Sequence, residues 1–420
     1  MRPTPHPPRP IAIALSGMLA LAVAMGIGRF AFTPLLPMML HDGVVNLAGG
    51  SWLATANYFG YWLGAMACAA QPALWRRRGA APLRHTGVVR LGLAATALLT
   101  LCMALPPGLL WPLWRFLAGV ASALVFVYVS GWCLARLALL GAPALAGIIY
   151  VGPGLGIAVS GFAATAMVAC GVSAAAGWAI FALLAVLLAA IAWPQLRGEV
   201  PAPPVAAGGD PPPPRATIAA FTLAYGLAGF GYIVSATFLP VIARQALPAG
   251  SVWLDLFWPI FGIGVSIGSL LTMRVPLALD RRHLLMGCYA MQAAGVMAGV
   301  WLPSLAGFAL GSVLLGLPFT AITLFALQEA RRLRPHDTAA LIGGLTAAYG
   351  LGQIAGPPLV AWLLQRSASP AAGFTLALQI AAAALLAGAA VYGALARERP
   401  LTARGSAAAG PGPGASGSSR

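Results

Sequence analysis

Lysine is absent from this chain and acidic side chains are scarce: all 24 basic residues are arginine, they face only 8 Asp and Glu, and charged residues make up 8% of the sequence. A soluble domain carries about 25% charged residues. A water-facing surface cannot be assembled from so little charge, and the 60% hydrophobic content points to lipid as the main solvent. Missing lysine beside abundant Ala, Gly and Arg also points to a GC-rich bacterial genome.

Metal and disulfide patterns are missing too. The five cysteines, Cys68, Cys102, Cys133, Cys170 and Cys288, fall in apolar stretches with no CxxC pair, which reads as small buried hydrophobes. None of the histidines (His6, His41, His85, His283, His336) lies in an apolar run. No carboxylate cluster, His pair or nucleophile–base set appears at membrane depth, so neither a cofactor nor catalysis is expected. The net charge of +16 does not imply nucleic acid. A nucleic-acid binder gathers its basic residues on one folded surface, whereas most arginines here sit in short gaps between apolar runs.

What the chain does have is long apolar runs. A membrane span needs about 20 apolar residues, and twelve such runs are legible, near 11–40, 51–73, 87–105, 109–136, 144–170, 174–194, 217–246, 252–274, 284–302, 305–330, 339–364 and 371–396. The first continues through Arg29 to residue 40, too long for a signal peptide's apolar core and without a cleavage motif, so it reads as a span.

Arginine gives the orientation. The even-numbered gaps hold Arg76, Arg77, Arg78, Arg84, Arg136, Arg197, Arg215, Arg274, Arg281, Arg282, Arg331, Arg332 and Arg334, and the tail holds Arg397, Arg399 and Arg404. The odd-numbered gaps hold only Arg244 and Arg366. Short basic loops stay on the cytoplasmic side, which predicts cytoplasmic termini in a bacterial inner membrane.

Residues 196–216 are Pro-rich and carry Glu199 and Asp210. They read as a cytoplasmic linker between a first bundle (1–195) and a second (217–396), with a Gly/Ala/Ser/Pro tail (397–420) expected to be disordered. The halves also resemble each other. Gly26 to Pro37 aligns without gaps to Gly229 to Pro240, Gly152-Pro153 matches Gly356-Pro357, and Trp52-Leu53 matches Trp253-Leu254. Parallel repeats of six helices joined by a linker are the arrangement of major facilitator transporters.

The segment from Gly26 through Arg29, Thr33, Pro34 and Pro37 to Met39 resembles the first-helix signature of the YbfB/YjiJ-like branch of the major facilitator superfamily. Arg115 to Gly119 is similar to that superfamily's fourth-helix Arg motif. Gly147 to Gly156 and Gly352 to Pro357 are similar to its Gly-Pro helix motif. The loop Asp280-Arg281-Arg282 matches the family's acidic–basic gate motif, whereas its first-half counterpart, Trp75 to Gly79, lacks the acidic residue. The resemblance implies an all-α fold of twelve transmembrane helices in two pseudo-symmetric six-helix bundles, moving a small solute by alternating access. The expected partners are that solute and the bilayer, with the chain acting as a monomer.

Ionisable groups at bilayer depth are costly and usually face a cavity. Arg29 and Arg115 lie on the first and fourth spans, which line the cavity in such a fold. No first-half helix supplies a carboxylate to neutralise them. They read either as a pair of cations gripping an anion, an organic carboxylate above all, or as structural groups bound to helix carbonyls. Tyr232 occupies the position equivalent to Arg29 and is expected to face it. Tyr225, Tyr349, Gln353 and Asn57 are further polar candidates, with Tyr61 on the same face of its helix as Asn57. Asp255 reads as a gate partner of Arg29 or Arg115, or as a cap on its own helix. Glu329 with Arg332 reads as a solvated helix pair. Pro153 and Pro357 would loosen their helices where the halves meet.

Overall fold

The computed structural model describes residues 10–78, 84–198, 213–248, 251, 253–276, 278–334 and 338–398. Among the described residues the chain forms twelve long helices and no strand. These are α1 (Pro10–His41), α2 (Leu47–Arg78), α3 (His85–Cys102), α4 (Trp111–Leu139), α5 (Pro143–Ala169), α6 (Ala174–Ala192), α7 (Arg215–Ala246), α8 (Trp253–Thr272), α9 (Arg281–Trp301), α10 (Leu305–Leu333), α11 (Thr338–Arg366) and α12 (Pro370–Glu398). Most of the proposed linker and nearly all of the tail lie outside the described residues.

Ten of the twelve helices are long and apolar enough to cross a membrane. The two outside that set, α2 and α11, pack against each other, and α2 spends part of its length on polar groups such as Asn57, Tyr58 and Tyr61. Large apolar side chains on the outer surface, Leu91, Leu98, Ile191 and Leu223 among them, are largely exposed. A surface of that kind belongs in hydrocarbon rather than water. The chain is a multi-pass membrane protein.

Packing recurs with an offset of six helices. α2 packs on α4 as α8 does on α10, α1 on α5 as α7 on α11, and α3 on α6 as α9 on α12. The two halves of the chain meet along α5–α8, α2–α11 and α1–α7. The α5–α8 seam depends on Gly154. A methyl group there would sit 2.6 Å from the Ser266 nitrogen and 2.7 Å from the Gly262 carbonyl oxygen, and backbone cannot step aside. In the α2–α11 seam the indole Nε1–H of Trp62 donates to the Ala347 carbonyl at 3.1 Å.

One of the two expected loosening points differs from the sequence reading. A new helical segment begins at Val151 within α5, so Pro153 falls in a first turn, where its missing N–H breaks no helical hydrogen bond. Pro357 and Pro358 do lie inside α11, yet the helix runs unbroken from Thr338 to Arg366.

α1 is the irregular helix. An α-helix (Pro10–Leu21) gives way to a π-helix (Ala22–Phe30), and an α-helix resumes at Phe32. π-helical stretches are rare and concentrate at functional sites. Gly26 permits this one to lie against α5, because a methyl group there would overlap the Gly156 backbone.

The molecule is shut at the end bearing the His41–Leu47 and Ala246–Trp253 connections. Residues 32–39 of α1 and 231–243 of α7 are buried without interruption. The Thr33 hydroxyl donates to the Ala236 carbonyl at 2.6 Å, and Tyr58 and Thr237 share a hydroxyl hydrogen bond of 2.9 Å. Towards the other end, Leu124 on α4, Thr222 and Gly226 on α7, and Thr346 and Tyr349 on α11 are half-buried, and Val127 and Gly131 on α4 are exposed.

Candidate functional site

The π-helix explains the first cluster. In a π-helix the N–H of residue i bonds the carbonyl of residue i−5, so the Arg29 carbonyl would look to residue 34. Pro34 has no N–H. Arg115 supplies the donors instead: its Nη2 reaches the Arg29 carbonyl and its Nη1 the Gly28 carbonyl, both at 3.3 Å. Asn57 Nδ2 also donates, to the Gly28 carbonyl at 3.4 Å and the Arg115 carbonyl at 2.9 Å. The Ser122 hydroxyl satisfies Ala24 at 2.7 Å. Arg115 is 2% exposed, and its guanidinium lies over Phe32 (4.9 Å) and Trp178 (5.8 Å). Of the two readings offered for these arginines, a pair of solute-facing cations or groups bound to helix carbonyls, the geometry of Arg115 matches the second. Arg115 and Asn57 are occupied with backbone carbonyls of α1 and α4.

Arg29 is different. It is 3% exposed, and among the described residues no carboxylate forms an ion pair with it. Its Nη2 donates to Gln353 Oε1 at 2.6 Å, while Nε has no partner. The guanidinium lies 4.1 Å from the Tyr61 ring centroid and 5.2 Å from those of Tyr58 and Phe30. A cation over an aromatic face gains up to about 2 kcal/mol when desolvated, and a hydrogen bond to a charged group about 1.5–3 kcal/mol. Together these offset a burial penalty of several kcal/mol, but they leave the charge uncancelled.

Gln353 joins Arg29 to Tyr232. Its Nε2 donates to the Tyr232 hydroxyl, so α1, α7 and α11 converge on one amide. Around it runs a continuous set of rings. Tyr232 stacks on Tyr349 at 5.9 Å, Tyr349 meets Tyr225 at 4.8 Å, and Phe319 turns its edge to Tyr232 at 4.9 Å. Tyr225 donates to the Thr323 hydroxyl at 3.2 Å. The structure thus brings Arg29, Tyr232, Tyr225, Tyr349 and Gln353 together. Tyr58, Thr237 and Phe319 were absent from the sequence reading. Tyr58 was findable from its place one turn before Tyr61 on α2, whereas nothing local marks Phe319.

The gate residues are rearranged relative to expectation. Asp255 pairs with Arg244, not with Arg29 or Arg115, since both lie beside the α7–α8 connection at the sealed end. Its backbone carbonyl also accepts from the Thr165 hydroxyl of α5 at 3.2 Å. Within the Asp280-Arg281-Arg282 motif, Asp280 pairs with Arg282, through Nε at 3.0 Å and Nη2 at 2.6 Å, and accepts the Arg282 backbone N–H at 2.9 Å as the cap of α9. Arg281 turns away to the Phe325 ring and donates to the Pro276 carbonyl at 3.1 Å. Glu329 is not solvated. It is 1% exposed, takes two bonds from Arg332 (2.8 and 2.5 Å) and lies 3.8 Å from Arg282. Packing of α9 against α10 encloses it.

Burial alone would raise the Asp280 carboxyl, but the hydrogen bonds and charge of Arg282 outweigh it and hold the group below the usual carboxylate range. A depressed carboxylate stabilises the fold fully above its unfolded value, and that share is lost as pH falls through the folded value. The melting-temperature gap between wild type and Asp280→Asn is therefore expected to be steady down to about pH 4 and to close on further acidification. A gap independent of pH would contradict this assignment.

The fold has relatives among solved structures. A mutant form of the nucleoside transporter NupG aligns with TM-score 0.65 and 16% identity, over 92% of this chain and 99% of that one. The human organic anion transporter MFSD10 (TETRAN) aligns with TM-score 0.63 and 16% identity, over 92% and 100%. A bacterial homolog of the human lysosomal transporter Spinster, inward-facing and unoccupied, aligns with TM-score 0.62 and 13% identity, over 93% and 98%. At such identities the likeness is one of fold. No curated protein matches the sequence. The model of one sequence family, described as the uncharacterised MFS-type transporter YbfB, matches residues 21–392, and the chain belongs to that family of major facilitator transporters.

Proposed function

We propose that the chain is a secondary transporter that moves a small organic anion by alternating access. The observation that carries this reading is Arg29: a buried cation that bonds across the two halves to Gln353, with no carboxylate paired to it among the described residues. Arg offers a planar fork of donors suited to a carboxylate, and a bound anion would supply the counter-charge that Arg29 lacks among the described residues. Two six-helix bundles, 1–195 and 217–396, rock about the α5–α8 and α2–α11 seams, a motion suited to parallel repeats. Arginine distribution supports placing the looser end, with both termini, in the cytoplasm of a bacterial inner membrane. The sealed end, tied by Thr33–Ala236 and Tyr58–Thr237, then faces outward, and Arg244–Asp255 and Asp280–Arg282 brace the two ends.

The test is uptake into proteoliposomes of a mixed panel of organic anions, neutral sugars and cationic compounds. Saturable, protein-dependent flux is expected for anions. Flux confined to neutral or cationic members of the panel, or no flux of any, would overturn the proposal.

A further inference from the structure

We infer that the Arg29 site selects an aromatic monocarboxylate, a planar ring bearing one negative charge. The inference rests on the anion-transport reading above and narrows its substrate class.

Three observations carry it. The first is the supply of donors. Arg115 spends Nη1 and Nη2 on the Gly28 and Arg29 carbonyls, which leaves the Arg29 guanidinium as the fork turned to a solute. One carboxylate matches that fork, whereas a second carboxylate on the same solute would enter a buried setting without a fork of its own. The second is the state of the phenol groups. The hydroxyl of Tyr58 is bonded to Thr237, that of Tyr225 to Thr323 and that of Tyr232 to Gln353. A sugar would need such groups free to replace its lost water bonds, and here they are in use. The tyrosines present ring faces and edges to a solute instead.

The third is position. Tyr61, under the guanidinium, and Tyr349, at the centre of the Tyr225–Tyr349–Tyr232 series, are both half-buried, and so are the rings with surface left to offer. Both belong to helices of the α2–α11 seam. A carboxylate at Arg29 would place a directly attached ring beside them, where aromatic pairs at offset or edge geometry gain more than their buried area alone predicts.

The experiment is isothermal titration of the purified full-length protein in detergent with benzoate, cyclohexanecarboxylate, benzamide and phthalate. Benzoate is expected to bind about 2- to 12-fold more tightly than cyclohexanecarboxylate, equivalent to about 0.5–1.5 kcal/mol for an aromatic pair. Benzamide and phthalate are expected to bind at least about tenfold more weakly than benzoate, a single step of 1.4 kcal/mol. Tyr349→Leu should bring the benzoate-to-cyclohexanecarboxylate ratio close to one, and Tyr349→Phe, which keeps the ring, should preserve it.

Equal binding of the two monocarboxylates by wild type would overturn ring selection and leave the anion reading standing. A ratio untouched by Tyr349→Leu in a protein that still binds cyclohexanecarboxylate would also overturn it. Benzamide binding in preference to both carboxylates would sink the anion reading and this inference together. Absence of benzoate binding at millimolar concentration would refute the inference, with the flux panel deciding the fate of the broader reading.

Discussion

Replacing Arg29 by Gln is expected to lower anion flux at least about 100-fold while leaving the protein folded. Leaving a buried charge without its partner costs about 3–5 kcal/mol, and each 1.4 kcal/mol is a factor of about ten in affinity. In the variant, the anion itself would be the unpartnered charge. The fold should tolerate the change, because Arg29 holds no ion pair with a carboxylate among the described residues and its Nε is unsatisfied already. Removing the guanidinium relieves a buried cation rather than exposing a need. Arg29→Lys keeps the charge but loses the planar fork, and an intermediate loss of about tenfold is expected. Flux through Arg29→Gln within a few-fold of wild type, measured with whichever anion the panel identifies, would remove the cation from the transport mechanism.

Arg115→Leu should give the opposite pattern. Arg115 is as deeply buried as Arg29, but it serves the carbonyls of Gly28 and Arg29. Leucine would leave these with fewer donors, at about 1–3 kcal/mol for each buried group left unsatisfied. Loss of the buried cation returns part of that cost, so a net destabilisation of about 2–4 kcal/mol is the expected outcome. In practice the yield of monodisperse protein should fall and thermal unfolding in detergent should shift down by several degrees. Arg115→Lys, able to reach one carbonyl, should lie between. A variant that melts like wild type would show that the π-helical carbonyls find other partners. The two substitutions together separate a residue that meets solute from one that holds the helix presenting it.

The long helices, their order and the arginine asymmetry were legible in the sequence because hydrophobic runs and charge placement are local properties. Arg29 and Tyr232 were legible as a pair because the repeat aligns Gly26–Pro37 with Gly229–Pro240, and they meet through Gln353. The role of Arg115 was legible only as one of two alternatives, a solute-facing cation or a group bound to helix carbonyls. Choosing between them takes the π-helical winding ahead of Pro34, which no residue-by-residue pattern announces. The partners of Asp255 and Asp280 were hidden for a similar reason. Choosing between Arg281 and Arg282 requires knowing that Asp280 caps α9, which turns the second arginine back to it and the first towards α10. Glu329 looked like a surface pair because Arg332 follows it by three residues; only tertiary packing buries it.

The missing counter-charge at Arg29 has an electrical consequence on the proposed reading. A monoanion bound at Arg29 would lower the positive charge that Arg29 and Arg115 hold together from two to one. Any rearrangement that shifts this residue relative to the field then makes the return of the empty protein sensitive to membrane voltage. The work is about 2.3 kcal/mol for one charge crossing a full 100 mV, and correspondingly less for a fraction of the drop. The loaded limb of the cycle would feel less of it.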